Sequence, residues 1–214
     1  MTDIPILFSA EMVRAWLEGR KRMTRRYAWR RPSKKKGSCG LWRSPWCDVQ
    51  PGDRLWVREN HWRWGLWDYQ PDREQPWKFF AEKSELPKYD GEMVDGYEAP
   101  KRVPGRLAWY YRPSIYMERA HSRLTLMVEG TKCEPLQAIT IADILAEGIP
   151  DTACPADFPK LWNRLNGKGS WEANPEVVAI TARAVATNID AAPPAQYVLP
   201  EGHAAPTDAE LGVV

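Results

Sequence analysis

The sequence predicts an α+β domain: a small curved β-sheet or β-barrel with flanking short helices and a long irregular insertion. Three observations lead there. Strand signals open and close the first 186 residues, short amphipathic helical signals lie between them, and two stretches rich in Trp, Pro and Gly carry no sustained period. The domain is expected over residues 1–186, with insertions at about 30–50 and 60–112, and a disordered Ala/Pro-rich tail over 187–214.

Each element has its own local reason. "IPILF" is a short apolar run suited to a buried strand, and Ser9 is placed to cap the helix of "AEMVRAWLEGR". Met12, Val13, Trp16 and Leu17 make that helix's apolar face, and Gly19 stops it. "KRMTRR" therefore starts at a helix-to-strand junction. "QPGD" reads as a turn, and "DRLWVRE" alternates Leu55 and Val57 against Arg54, Trp56 and Arg58 as a half-buried strand does. Residues 60–112 predict only short strands such as "WKFFAE" and a hairpin or two. "SRLTLMVEGTKCEPL" is the longest strand signal, with Leu124, Leu126 and Val128 inward. "TIADILAEG" predicts a short helix with Thr140 or Ala142 near its start and Gly148 as its stop, and "FPKLWNRLNG" another with Leu161, Trp162 and Leu165 on one face. "NPEVVAITARAVA" closes the domain as a strand.

Composition narrows the function. Net charge is only +2, yet eleven cations run from Arg14 to Lys36 (Arg14, Arg20, Lys21, Arg22, Arg25, Arg26, Arg30, Arg31, Lys34, Lys35, Lys36), with Glu18 the one acid among them. Such a block suits a polyanion, or is simply a solvated loop. Seven of the 12 tryptophans lie between Trp29 and Trp67, where rings can stack bases while cations hold phosphates, or fill a core. No apolar run approaches the roughly 20 residues that cross a bilayer, and the N-terminus lacks the order of a secretory signal, so a cytoplasmic monomer with no membrane partner is expected.

Several chemistries lack their residues. Cys39, Cys47, Cys133 and Cys154 form no Cys-x-x-Cys pair and read as reduced thiols. Cys39, Cys47 and His61 lack the close ligand pairs of tight zinc sites, so neither metal nor cofactor is expected. His61, His121 and His203 are scattered, with no zinc-deaminase motif, and neither a phosphate-binding Gly-rich loop nor a Gly-x-Ser-x-Gly elbow occurs.

The stretches "ILFSAEMVRAWLEGRKRMTRR", "QPGDRLWVRE", "RPSIYMERAHSRLTLMVE", "LQAITIADILAEGI", "LWNRLNG" and "WEANPEVVAI" together resemble phage and prophage proteins of the ASCH group, in order over about residues 4–182. The resemblance implies the PUA-like fold, a small β-barrel with flanking helices that handles RNA and modified nucleosides, here in a bacterial host's cytoplasm. Within that superfamily, Gly19, Arg20, Lys21, Arg22, Met23, Thr24, Arg25 and Arg26 are similar to the Gly-Arg-Lys-x-x-Thr-x-Arg motif of the bacterial N(4)-acetylcytidine amidohydrolases. It implies Lys21 and Thr24 as catalytic residues and Glu147 as the third. The chain departs from that enzyme in its insertions, in Arg22 beside the lysine, and in "YMERAHSR".

Amide hydrolysis needs a nucleophile, a base and an acid for the leaving amine. Thr24 offers a hydroxyl, Glu147 a carboxylate, and Lys21 a base once its pKa of about 10.4 is lowered by burial or neighbouring cations. On a straight strand, positions 21 and 24 face opposite sides, so the chain must bend between them. Candidate residues for binding substrate or nucleic acid are Arg20, Arg26, Trp56, Arg58, Glu59, Arg123 and Trp162. The expected partner is a modified nucleoside or RNA, with DNA a further candidate. The alternative is a non-catalytic module reading an RNA or modified-DNA base. Nuclease activity lacks a carboxylate cluster for two metals, and a phage-interaction role would use the aromatic insertion between Trp62 and Trp109.

Overall fold

A computed structural model describes residues 1–30, 42–89, 92–93, 97–98, 100–149 and 155–192. The remaining residues include Arg31, Lys34, Lys35, Lys36, Cys39, Cys154, His203 and the tail from 193 on, so the expectations for these lie outside the described residues. The chain is mixed α+β, with more strand than helix. In order come β1 (Asp3–Leu7), α1 (Ala10–Leu17), β2 (Met23–Tyr27), β3 (Trp29–Arg30), β4 (Trp42–Arg43), β5 (Arg54–Arg58), β6 (His61–Tyr69), β7 (Trp77–Ala81), β8 (Lys88–Tyr89), β9 (Ala108–Arg112), β10 (Thr125–Pro135), α2 (Ile141–Ala146), α3 (Phe158–Asn166) and β11 (Glu176–Val185). No described helix is long and apolar enough to cross a membrane.

The main sheet is open, in the order β1-β5-β10-β11-β2, with β1 and β5 parallel and the other pairs antiparallel. Its buried face carries Ile6, Leu55, Val57, Leu126, Val128, Val178, Ile180 and Ala182, and α1 adds Val13 and Trp16 to the same core. The alternation in "DRLWVRE" is thus realised residue by residue, whereas in "SRLTLMVE" Thr125 and Met127 are buried along with Leu124, Leu126 and Val128. The two edge strands are joined by a side chain, because the Arg26 guanidinium donates to the Leu7 carbonyl at 2.9 Å. A second apolar cluster, Leu136, Ile144, Ile149, Phe158, Trp162 and Val177, seats α2 and α3 at one end of the sheet.

The helix caps follow the sequence. Ser9 accepts from the Met12 N–H, and Thr140 and Asp143 form a reciprocal capping box at α2. Leu17 departs from expectation and is exposed. Ala15 is buried instead, because the returning chain donates the Lys21 N–H to its carbonyl and covers that side of the helix. Leu165 is also exposed, on the rim of a cleft.

The insertion after residue 60 is more regular than predicted. It is a four-stranded antiparallel sheet in which β6 pairs with β9 on one side and with β7 and β8 on the other. The inward residues of β6 are His61, Arg63, Gly65 and Trp67, while the alternating Trp62, Trp64 and Leu66 lie on the opposite face, so the strand's period of two is present in the sequence but its buried side is the reverse of the one hydrophobicity suggests. His61 Nδ1 lies 3.1 Å from the Glu59 carbonyl, and the Arg112 guanidinium covers the rings of Trp67 and Phe79 at 4.9 and 4.6 Å. The first insertion likewise contains a short β3–β4 ribbon and a 3₁₀ turn over Pro45–Asp48. Residues 187–192 pack on the domain rather than trailing away. Ile189 is fully buried, Arg54 donates to the Ile189 and Ala192 carbonyls, and Asn188 donates to those of Arg119 and Ser122.

Two outcomes follow. A Cβ on Gly65 would lie 2.3 Å from the Phe80 carbonyl oxygen and 2.7 Å from the Phe79 ring, whereas one on Gly130 meets nothing within 4 Å. Gly65→Ala should therefore lower unfolding free energy in urea by roughly 1–3 kcal/mol, and Gly130→Ala by far less. Burial pushes His61 down to about 4. Below its ordinary value the unfolded chain takes up a proton that the folded chain refuses, so stability should fall from about pH 6.5 towards 4. His61→Gln should shrink that part of the acid limb in urea titrations at stepped pH.

Candidate active site

The site begins where α1 stops. Gly19 takes φ +72°, which reverses the chain, and Lys21 and Arg22 then lie between elements instead of inside one. Lys21 donates its N–H to the Ala15 carbonyl at 2.9 Å, Arg22 donates to that of Ala146 at 2.7 Å, and β2 begins only at Met23. Lys21 forms an isolated bridge with Glu147, the residue capping the end of α2. Position 21 is therefore off the strand's alternation. This resolves the facing problem, since Lys21, Thr24 and Glu147 line one cleft of about 380 Å³.

Lys21 is almost wholly buried, and its Nζ donates to the Glu147 carbonyl at 2.8 Å and to Glu147 Oε2 at 2.7 Å. It also stands over the rings of Trp16 and Phe8 at 5.8 and 6.0 Å. Burial pulls its pKa below the ordinary lysine value. Glu147 pulls the other way, and Arg26 and Arg25 add to the lowering. Gly148 must be glycine here twice over, with φ +76° and a Cβ position 2.6 Å from the Lys21 Cβ.

Arg25 is the residue that sequence reading undervalued. Its side chain is 1% exposed and reaches three carboxylates: Glu147 Oε1 at 3.1 Å, Glu134 Oε1 at 3.0 Å and Asp143 Oδ2 at 3.0 Å. Asp143 is held below the usual carboxylate range by the Thr140 cap and by Arg25, against the opposing pull of burial. The available signal was the strand's alternation. With Thr24 set opposite the core residue Ile180, Arg25 leaves β2 on the sheet's other face before its guanidinium reaches the cleft edge at Glu147, and a buried arginine there requires acids on the flanking elements.

The cleft walls are aromatic and apolar at Phe8, Met12, Phe158, Leu161 and Trp162, with Ser9, Asn60, Ser114 and Asn166 as polar groups. Arg26 lines it too, its guanidinium 5.1 Å from the centre of the Phe8 ring. The Nε of Arg26 and Nε1 of Trp162 are buried donors without a protein acceptor among the described residues. Arg20 lines an adjoining cleft of about 400 Å³ that shares Lys21, Glu147, Met12 and Leu161 with the first, so the Lys21–Glu147 pair stands between the two.

Four candidates fall elsewhere. Trp56 lies under the Arg58 guanidinium, and Arg58 donates to the Ile115 carbonyl. Glu59 is buried in a two-pronged ion pair with Arg123, at 2.9 and 3.0 Å, and Arg123 also covers Tyr89 at 4.0 Å. None of the four lines either cleft. Among the described residues no group of His, Cys, Asp and Glu is arranged to hold a metal. No family model, no curated protein and no solved structure matches this chain.

Removing the central guanidinium leaves buried carboxylates without their partner. Arg25→Met should cost about 3–5 kcal/mol of stability, read as a shift in the urea midpoint, with Arg25→Lys in between because an ammonium cannot span three acids.

Proposed function

We propose that this chain is a PUA-like protein of the ASCH kind, a metal-free amidohydrolase that removes an acyl group from a modified cytidine or a related nucleoside. In this reading the curved main sheet is the small β-barrel, nearly closed where Arg26 ties β2 to the end of β1. The observation that carries the proposal is the common cleft of Lys21, Thr24 and Glu147, with a flat aromatic wall and scattered amide and hydroxyl groups suited to a base.

The chemistry runs through the chain's own groups. Neutral Lys21 takes the Thr24 hydroxyl proton as the oxygen adds to the acyl carbonyl carbon. The carbon–nitrogen bond breaks as the exocyclic amine receives that proton back, with Glu147 holding the ammonium in place between the two transfers. Water then hydrolyses the threonine ester, which releases the carboxylic acid and restores the hydroxyl. Arg25 fixes the far oxygen of Glu147, leaving the near one to Lys21.

Base recognition without turnover is the second reading, and one observation favours it. Arg26 Nε and Trp162 Nε1, on residues of the cleft, have no protein acceptor among the described residues and suit the carbonyl oxygen or ring nitrogen of an RNA or modified-DNA base.

Purified protein should convert N(4)-acetylcytidine to cytidine and acetate, followed by liquid chromatography. Lys21→Met and Thr24→Val, checked for folding by circular dichroism, should each lower kcat by about 10²–10⁴-fold. The rate should rise with pH to a plateau set by an apparent pKa below the ordinary lysine value of about 10.4. A folded wild type without turnover retires the hydrolase and leaves the binding module.

A further inference from the structure

The four-stranded insertion sheet has an outer face that a solvated sheet does not ordinarily have. An antiparallel sheet covered on one side presents polar residues on the other. Here β6 turns Trp62, Trp64 and Leu66 outward, and the cross-strand register sets Tyr111 opposite Trp62, Trp109 opposite Trp64 and Phe80 opposite Leu66. Trp62 meets Tyr111 edge-on at 5.4 Å, and Trp64 lies 5.6 Å from Trp109. Tyr111 and Phe80 remain 48% and 42% exposed. Tyr97 borders the ladder, 5.6 Å from Trp62 with its hydroxyl donating to the Trp109 carbonyl, and the exposed rings beyond it mark an interaction surface.

We propose that this face is a stacking platform for a single-stranded nucleic acid. Its cations stand on the rings themselves, with the Lys88 and Lys78 ammonium groups each 4.7 Å from the ring centres of Trp109 and Phe80. Rings for bases beside ammonium groups for phosphates is the pairing that sequence-tolerant single-strand binding uses. Of the acids beside the face, Glu92 pairs with a cation, whereas Glu82 and Asp68, the latter opposite Lys78, accept from neutral donors and keep their charge. Glu92 accepts from Arg123 and from the Tyr89 N–H, Glu82 from the N–H groups of Lys83 and Ser84, and Asp68 from Gln70. A protein partner fits less well, because lysine is depleted from the middle of protein interfaces and Leu66 is the one aliphatic side chain in the ladder. The platform goes beyond the cleft and stands without the hydrolase reading.

The test is fluorescence anisotropy of a fluorescein-labelled oligouridine of roughly a dozen nucleotides, with the thymidine DNA counterpart as a second arm. Intrinsic tryptophan emission is recorded alongside. Wild type should bind at least one of the two with quenched tryptophan emission. Lys88→Glu and Tyr111→Ala should each weaken binding about tenfold or more, with thermal unfolding unchanged. Phe80→Ser serves in place of either variant that melts early, and Lys168→Glu, outside the face, should bind as wild type does. Lys88→Ala should flatten the slope of log affinity against log salt by about 0.7. Absence of binding to both oligomers overturns the platform, and so does binding that the face variants leave unchanged. Neither result bears on acetylcytidine turnover.

Discussion

Two cations that cannot reach bulk water organise this molecule. Lys21 and Arg25 are each nearly fully buried, and a buried charge is tolerated only when partners satisfy it. Their carboxylates come from Glu134 on β10, Asp143 in the first turn of α2 and Glu147 at its end. The requirement therefore pins a six-residue helix, too short to persist alone, against the start of β2. Glu147 is held from both oxygens, one by Lys21 and one by Arg25, so the carboxylate that the proposed chemistry needs is oriented before any ligand arrives.

The clefts follow from that pinning. With α2 fixed, the second apolar cluster brings α3 alongside, and Trp162, Leu161 and Phe158 become one wall while Phe8 and Met12 become the other. Gly19 and Gly148 supply two reversals that side chains resist, one returning the chain from α1 and one leaving room for the Lys21 side chain. The same contacts lower the lysine's proton affinity and shape the space around it, so electrostatics and shape share one cause.

The insertion sheet obeys a different economy. Its inner face buries His61 and Arg63, and cations from Arg102 and Arg112 lie over the Trp67 ring, while its outer face shows tryptophan and tyrosine. The inner face is part polar, at His61 and Arg63, and part a core of Trp67, Ala108, Tyr110, Trp77 and Phe79, held by cation–ring contacts and by the Glu59–Arg123 clasp at the root of the insertion.

The sequence by itself determined what depends on neighbours along the chain. The Ser9 and Thr140 caps, the stops at Gly19 and Gly148, and the strands of "DRLWVRE" and "SRLTLMVE" were all legible, because helix ends and half-buried strands carry local signatures. The resemblance placed Lys21, Thr24 and Glu147 in one group, and the strand's alternation argued against it. Only the tertiary structure decided that position 21 sits off the strand and meets a residue 126 positions away. It alone showed that Arg25 gathers three acids, that Trp56, Arg58, Glu59 and Arg123 lie away from the clefts, and that β6, β7, β8 and β9 form one sheet. The physical reason is shared. A buried charge announces nothing locally, because its cost and its compensation lie on different elements, and a strand that buries histidine and arginine while turning tryptophan outward reverses the side that its alternation points to.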